Sequence, residues 1–180
     1  MRMHANDSAL VIVDVQERLA PVMDDPRRVI YGCANLIRAA LRLEVPLLIS
    51  EQYPKGLGPT MVDLREIAPA DAYVEKTSFS CCGEPAFMER FRAFGRGRAV
   101  IAGIEAHVCV TQTALEFKER GVEPFVVADC CSSRRPDDVA RAFDRLRTAG
   151  VHVVGYEQVL FEWLGSKDNP AFKDIQRLVK

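Results

Sequence analysis

Ala9-Leu10-Val11-Ile12-Val13-Asp14 sets five apolar residues in a row and closes them with a carboxylate. A strand with one face in water would alternate polar and apolar residues, so an unbroken run signals burial on both faces, as in a parallel sheet covered by helices. Further short runs rich in β-branched residues follow at Leu47–Ser50, Tyr73–Glu75, Ala99–Ala102, Pro124–Val127 and His152–Gly155. Between the first two, Val29, Cys33, Leu36, Ile37, Ala40 and Leu43 recur at helical spacing, and Pro46 closes that helix just before its strand. Other helices are expected at Glu84–Phe94, at Val108–Arg120 with Gly121 as its stop, and at Asp137–Thr148 with Gly150 beyond. Asp24-Asp25-Pro26 and the stretch Glu51–Thr60 read as loops near strand ends. This alternation predicts an α/β fold, a three-layer αβα sandwich around a six-stranded parallel sheet with right-handed crossovers.

The 180 residues fit a single domain spanning 1–180. With 24 basic against 25 acidic side chains the formal charge is −1, so no global field draws the chain to nucleic acid or anionic lipid, and a small-molecule substrate fits better. No apolar run approaches the roughly 20 residues that span a bilayer. The segment Met1–Ser8 has no apolar core like a signal peptide's, which makes a cytoplasmic location the expectation. Cys81-Cys82 and Cys130-Cys131 are adjacent pairs without the spacing of a secreted disulfide framework, so reduced thiols are expected. There is no C-x-x-C, and His4, His107 and His152 do not cluster with cysteines, so no metal site is expected. The tail, with Phe161, Trp163, Leu164, Phe172, Ile175 and Leu178, is apolar enough to dock, either on its own domain or on a second subunit. A homo-oligomer is expected.

Ligands of open α/β sheets gather at the carboxyl ends of the strands. Asp14 ends the first run, Lys76 ends the third, and Cys109 lies a few residues beyond the fourth. Singly, an Asp caps turns, a Lys is a solvated charge and a Cys is a small hydrophobe. Together they form a chemical unit. Cys109 falls where a helix begins, so the helix N-terminus and the Lys76 charge are expected to favour its thiolate. Asp14 can take the thiol proton and return it to a leaving group. His107 sits two residues before Cys109, a spacing that points the two side chains apart, and is read as structural. The first strand-to-helix turn, Asp14-Val15-Gln16-Glu17-Arg18, has no glycine to admit a pyrophosphate, which argues against dinucleotide binding.

Three segments carry a family resemblance. Leu10-Val11-Ile12-Val13-Asp14-Val15-Gln16, Glu75-Lys76-Thr77-Ser78-Phe79-Ser80 and Gly103-Ile104-Glu105-Ala106-His107-Val108-Cys109-Val110-Thr111-Gln112-Thr113-Ala114 are similar to the aspartate, lysine and nucleophile segments of the isochorismatase-like cysteine hydrolases. The resemblance implies the isochorismatase-like hydrolase fold, with strand order 3-2-1-4-5-6. It also implies Cys109 as nucleophile, Asp14 as proton shuttle and Lys76 as the residue that holds and charges the pair. It further implies a cis peptide between Ile104 and Glu105, which would aim the Glu105 N–H to form an oxyanion hole with that of Cys109. The nicotinamidases of this family carry an Asp-x-His metal motif after the second strand. Ser50-Glu51-Gln52-Tyr53-Pro54-Lys55-Gly56 holds no histidine, so neither metal nor nicotinamide is expected. Members that hydrolyse isochorismate lack the nucleophilic cysteine, so Cys109 counts against that reaction as well. The expected activity is amidase-like: hydrolysis of a small amide, ester or carbamoyl group through a thioester, without cofactor. Leu19, Tyr53 and Phe79 are expected to wall the substrate pocket. The competing reading is a catalytically quiet member of the fold that binds a metabolite or a protein.

Overall fold

The computed structural model describes residues 1–180. Six strands, β1 (Ser8–Val13), β2 (Leu47–Gln52), β3 (Tyr73–Lys76), β4 (Arg98–Ile104), β5 (Glu123–Ser132) and β6 (His152–Val154), form one all-parallel sheet in the order β3-β2-β1-β4-β5-β6. Eight helices accompany them: α1 (Pro26–Arg42), α2 (Pro54–Leu57), α3 (Val62–Arg65), α4 (Pro85–Ala93), α5 (Thr111–Glu119), α6 (Pro136–Thr148), α7 (Tyr156–Leu164) and α8 (Phe172–Leu178).

β1 shows why its run is unbroken. Leu10 and Ile12 enter one core, beneath α1, α7 and α8, while Ala9, Val11 and Val13 enter the other, beneath α4, α5 and α6. The second core is built on aromatic contacts, with Phe91 and Phe117 centroids 4.6 Å apart. α1 starts where the Asp25 carboxylate accepts the Arg28 N–H at 3.3 Å, ahead of a helix whose first residue is proline. Its face of Val29, Cys33, Leu36, Ile37 and Ala40 is buried, as the spacing predicts. α5 and α6 stop at the left-handed glycines Gly121 and Gly150. No helix is long and apolar enough to cross a membrane.

Several boundaries differ from the sequence reading. β2 runs on to Gln52, and part of the expected loop behind it coils into α2. β3 includes Lys76, which therefore lies in the strand. β5 continues from Val127 to Ser132, because a register shift against β4 between Ile101 and Gly103 lets the pairing resume at Gly103–Cys131. The expected helix from Val108 is two pieces: a π-helical turn over Ala106–Val110, then α5. The tail docks on its own chain. Trp163 and Ile175 join the core under α1, and the Leu178 carbonyl accepts from Asn35 Nδ2 at 3.3 Å and from the Tyr156 hydroxyl at 2.8 Å.

β1 and β4 come very close at their ends. Gly103, at φ 121°, faces Val13, and a Cβ on it would lie 2.1 Å from the Val13 carbonyl oxygen. Just beyond this contact sit Asp14 on one strand and the cis peptide Ile104–Glu105 on the other.

Candidate active site

Asp14 leaves β1 in the left-handed region at φ 53°, its N–H bonded to the Ser50 carbonyl at 3.1 Å. That turn aims its carboxylate along the strand tips. Oδ1 accepts the Ser50 hydroxyl at 2.6 Å, and Oδ2 lies 2.8 Å from Lys76 Nζ, with both side chains essentially sealed from solvent. Lys76 donates to Gln52 Oε1 at 2.5 Å and to the carbonyls of Ser78 and Phe79 at 3.1 and 3.0 Å. The loop that presents those carbonyls is clamped by Glu84, whose Oε1 accepts the N–H groups of Thr77 and Ser78 at 2.8 and 3.0 Å. Hydrogen bonds from Ser78 and Thr77 hold the Glu84 carboxyl down at about 2.

Cys109 sits in the π turn, 6% exposed, with its thiol in hydrogen-bonding reach of Asp14 and in the field of Lys76. The turn is tied together at its base. The Glu105 carbonyl accepts from Val108 and Val110 N–H at 3.1 and 3.2 Å, and the Thr111 hydroxyl donates to the Ala106 carbonyl at 2.6 Å. Glu105 points its carboxylate to Arg134, accepting from the Arg134 N–H and Nε at 3.1 Å each. His107 Nδ1 meets Ser133 Oγ at 2.9 Å, a structural contact.

The charges correct one expectation. Burial and then the neighbouring Asp14 charge push the Cys109 thiol far above its ordinary range, and Lys76 opposes this without cancelling it. The pull of the helix start and of Lys76 toward thiolate is thus outweighed. Burial also raises Asp14, against the charge of Lys76. Burial would lower the Lys76 ammonium, but the charge of Asp14 and its hydrogen bond push it above its ordinary value. A carboxylate raised by burial and facing a neutral thiol is suited to take its proton during attack.

The structure therefore brings Asp14, Lys76 and Cys109 together at the ends of β1, β3 and β4. The three expected pocket residues are not gathered in the same way. Tyr53, 56% exposed, lines an open pocket of about 280 Å³ with Lys76, Thr77 and Glu84. Phe79 is equally exposed and reaches the site through its carbonyl. Leu19 packs against the core under α1 instead. The largest surface cavity, about 540 Å³, lies over α1 between Arg27, Tyr31 and Glu66, away from the chemistry. Sequence reasoning passed over Ser50, Gln52, Gln16 and Glu84. Ser50 ends an apolar strand run, just as Asp14 does, and that position was the available signal.

Residues 8–158 match the model of the isochorismatase domain. Isochorismatase domain-containing protein 2 of Danio rerio is 37% identical over 179 residues, covering 99% of this chain and 89% of that protein. The MAR1 ribonuclease structure from Caenorhabditis elegans superposes with a TM-score of 0.94 at 36% identity, covering 99% of this chain and 92% of that one. YcaC from Pseudomonas aeruginosa, solved with hexane-2,5-diol and covalent acrylamide, superposes with a TM-score of 0.92 at 25% identity, covering 98% of this chain and 91% of that one.

Proposed function

The chain belongs to the isochorismatase family, and from that premise we propose that it is a cysteine hydrolase that opens a small amide, ester or carbamoyl group through a thioester on Cys109. The observation that carries this reading is the buried Asp14–Lys76 pair, 2.8 Å apart, with a thiol beside the carboxylate. As Cys109 Sγ attacks the carbonyl carbon, Asp14 takes the thiol proton. The oxyanion is met by the N–H groups of Glu105 and Cys109, each such donor being worth about 3 to 4 kcal/mol. Asp14 passes the proton to the departing nitrogen, the C–N bond breaks, and an acyl thioester remains. Asp14 then draws a proton from water, whose oxygen attacks the thioester. The acid leaves and the proton returns to sulfur. Lys76 keeps its charge throughout, holding the carboxylate in place.

Support also comes from the P. aeruginosa neighbour, since acrylamide is an electrophile that reactive thiols capture. The ribonuclease name of the C. elegans neighbour raises RNA as a substrate, whereas a formal charge of −1 supplies no global pull on a polyanion. The test is ammonia release from a panel of small amides, with a labelled RNA alongside, comparing the protein with Cys109→Ala. Equal amide turnover by both proteins removes the nucleophile. Six uniformly slow thiols under alkylation at mildly acidic pH would favour the quiet binding protein instead. Val22, Tyr31, Tyr53, Val62 and Phe79 are large apolar side chains 48 to 60% exposed, which supports association of identical copies. Sedimentation of the purified chain decides that point.

A further inference from the structure

Lys76 Nζ has three hydrogens to give, and three acceptors other than Asp14 surround it: Gln52 Oε1 at 2.5 Å, Ser78 O at 3.1 Å and Phe79 O at 3.0 Å. Asp14 Oδ2 is a fourth acceptor, at 2.8 Å, so four oxygens compete for three hydrogens. The two oxygens of this carboxylate are therefore unlike. Oδ1 takes the Ser50 hydroxyl at 2.6 Å, and Oδ2 takes only its share of the Lys76 hydrogens. A donated N–H lowers a carboxylate's basicity, and so does a neighbouring positive charge. Here the charge is present, and the N–H groups are shared with Gln52, Ser78 and Phe79.

Gln52 is itself held firmly in that task. Its Nε2 donates to the Thr77 carbonyl at 2.9 Å, which fixes the amide with Oε1 toward Lys76. Its backbone is bracketed by the fully buried Gln16, whose Oε1 accepts the Gln52 N–H at 2.7 Å while Nε2 donates to the Gln52 carbonyl at 3.0 Å. Gln16 Nε2 also reaches the Gly58 carbonyl at 2.7 Å. A glutamine two residues past Asp14 thus anchors the glutamine that grips Lys76.

We propose that Gln52 is a positioning residue for the reaction: it competes with Asp14 Oδ2 for the Lys76 hydrogens, leaving that oxygen freer to accept the thiol proton. The inference rests on the cysteine-hydrolase reading. The titratable groups facing Lys76 are Asp14 from the end of β1, Cys81 from the turn after β3 and Cys109 from the π turn. Neutral Gln52 adds no charge to that set.

The test follows the alkylation rate of Cys109 by iodoacetamide against pH, mapped by peptide mass, in the intact protein and two variants. Gln52→Met keeps the length and removes the acceptor, freeing an N–H to turn onto Oδ2. The rate at neutral pH is expected to fall about tenfold, with the acid limb moving to lower pH. Gln52→Glu keeps the acceptor and adds a negative charge, so the rate is expected to recover at alkaline pH with the acid limb moved up by about one unit. Opposite displacements support the proposal. Unchanged limbs, or limbs moving the same way, overturn it whatever the thermal midpoints show, because a merely structural role would leave the profile in place. If Cys109 is not the thiol alkylated in the unaltered protein, the cysteine-hydrolase reading fails and this inference fails with it.

Discussion

Cys109 at the strand tips and Cys33 with Cys130 between α1 and β5 are buried thiols in one small protein, yet they sit in different chemical settings. Cys33 donates weakly to the Cys130 carbonyl at 3.7 Å, and burial pushes both of these thiols up. The nearest carboxylate to that pair, Asp129, is exposed and engaged with the Tyr156 N–H at 2.8 Å. Burial raises Cys109 as well, with the Asp14 charge adding to it. The same desolvation thus raises the thiols at both places. The difference is a buried base with its own counter-charge within reach of the sulfur.

The sharpest way to break this contrast is to exchange the thiols' fates. Cys109→Ala should lower amide turnover by at least about a thousandfold, while Cys33→Ala should stay within about twofold; comparable losses from both, measured as kcat/KM, would erase the distinction. Next in size, Lys76→Met leaves the Asp14 carboxylate buried beside no cation, which should cost about 3 to 5 kcal/mol in urea unfolding. A loss below about 1 kcal/mol would mean that the pair matters little to the fold. At the Cys33 and Cys130 pair, a Cβ at Gly32 would lie 2.5 Å from Cys130 Sγ. Gly32→Ala should therefore destabilise by about 1 to 3 kcal/mol, and adding Cys130→Ala should return most of that; a double variant as unstable as the single one would refute the steric account.

The smallest effect concerns the clamp behind Lys76. The Glu84 carboxyl is depressed from the ordinary 4.5 to about 2 by the Ser78 and Thr77 donors. A depressed carboxyl contributes stability above its unfolded-state value and loses it as pH falls toward its folded value. Glu84→Gln should thus be less stable than the parent at pH 7 by on the order of 1 kcal/mol, solvent screening included, with the gap closing between about 4.5 and 2. A gap that is constant across that window, in chemical denaturation at several pH values, would assign the loss to something other than charge.

The strands, with Asp14 and Lys76 at their ends, were legible because continuous apolar runs mark buried parallel strands and polar residues that stop those runs stand at the ligand end of the sheet; the strand order and Cys109's place beside them came with the family resemblance. The glutamines were not. Gln16 and Gln52 look like ordinary surface residues in the sequence, and their meaning comes from contacts between the segments after β1 and β2. The π turn was equally hidden, since one turn's excess of backbone leaves no mark on a helical periodicity. The direction of the shift on the Cys109 thiol was hidden for a related reason. A helix start is visible in sequence, whereas the depth of burial that overrides it is not.

The meeting of Gly103 with the Val13 carbonyl has a consequence for how this chain tolerates change. Any methyl group at 103 would drive the two central strands apart at the point where Asp14 and the Ile104–Glu105 peptide begin. In a saturation library, position 103 would therefore look as intolerant as the proposed nucleophile, although a glycine has no side chain with which to make or break a bond. Its contribution is an absence of atoms, which fixes how near two backbones can stand and hence where the reacting groups meet.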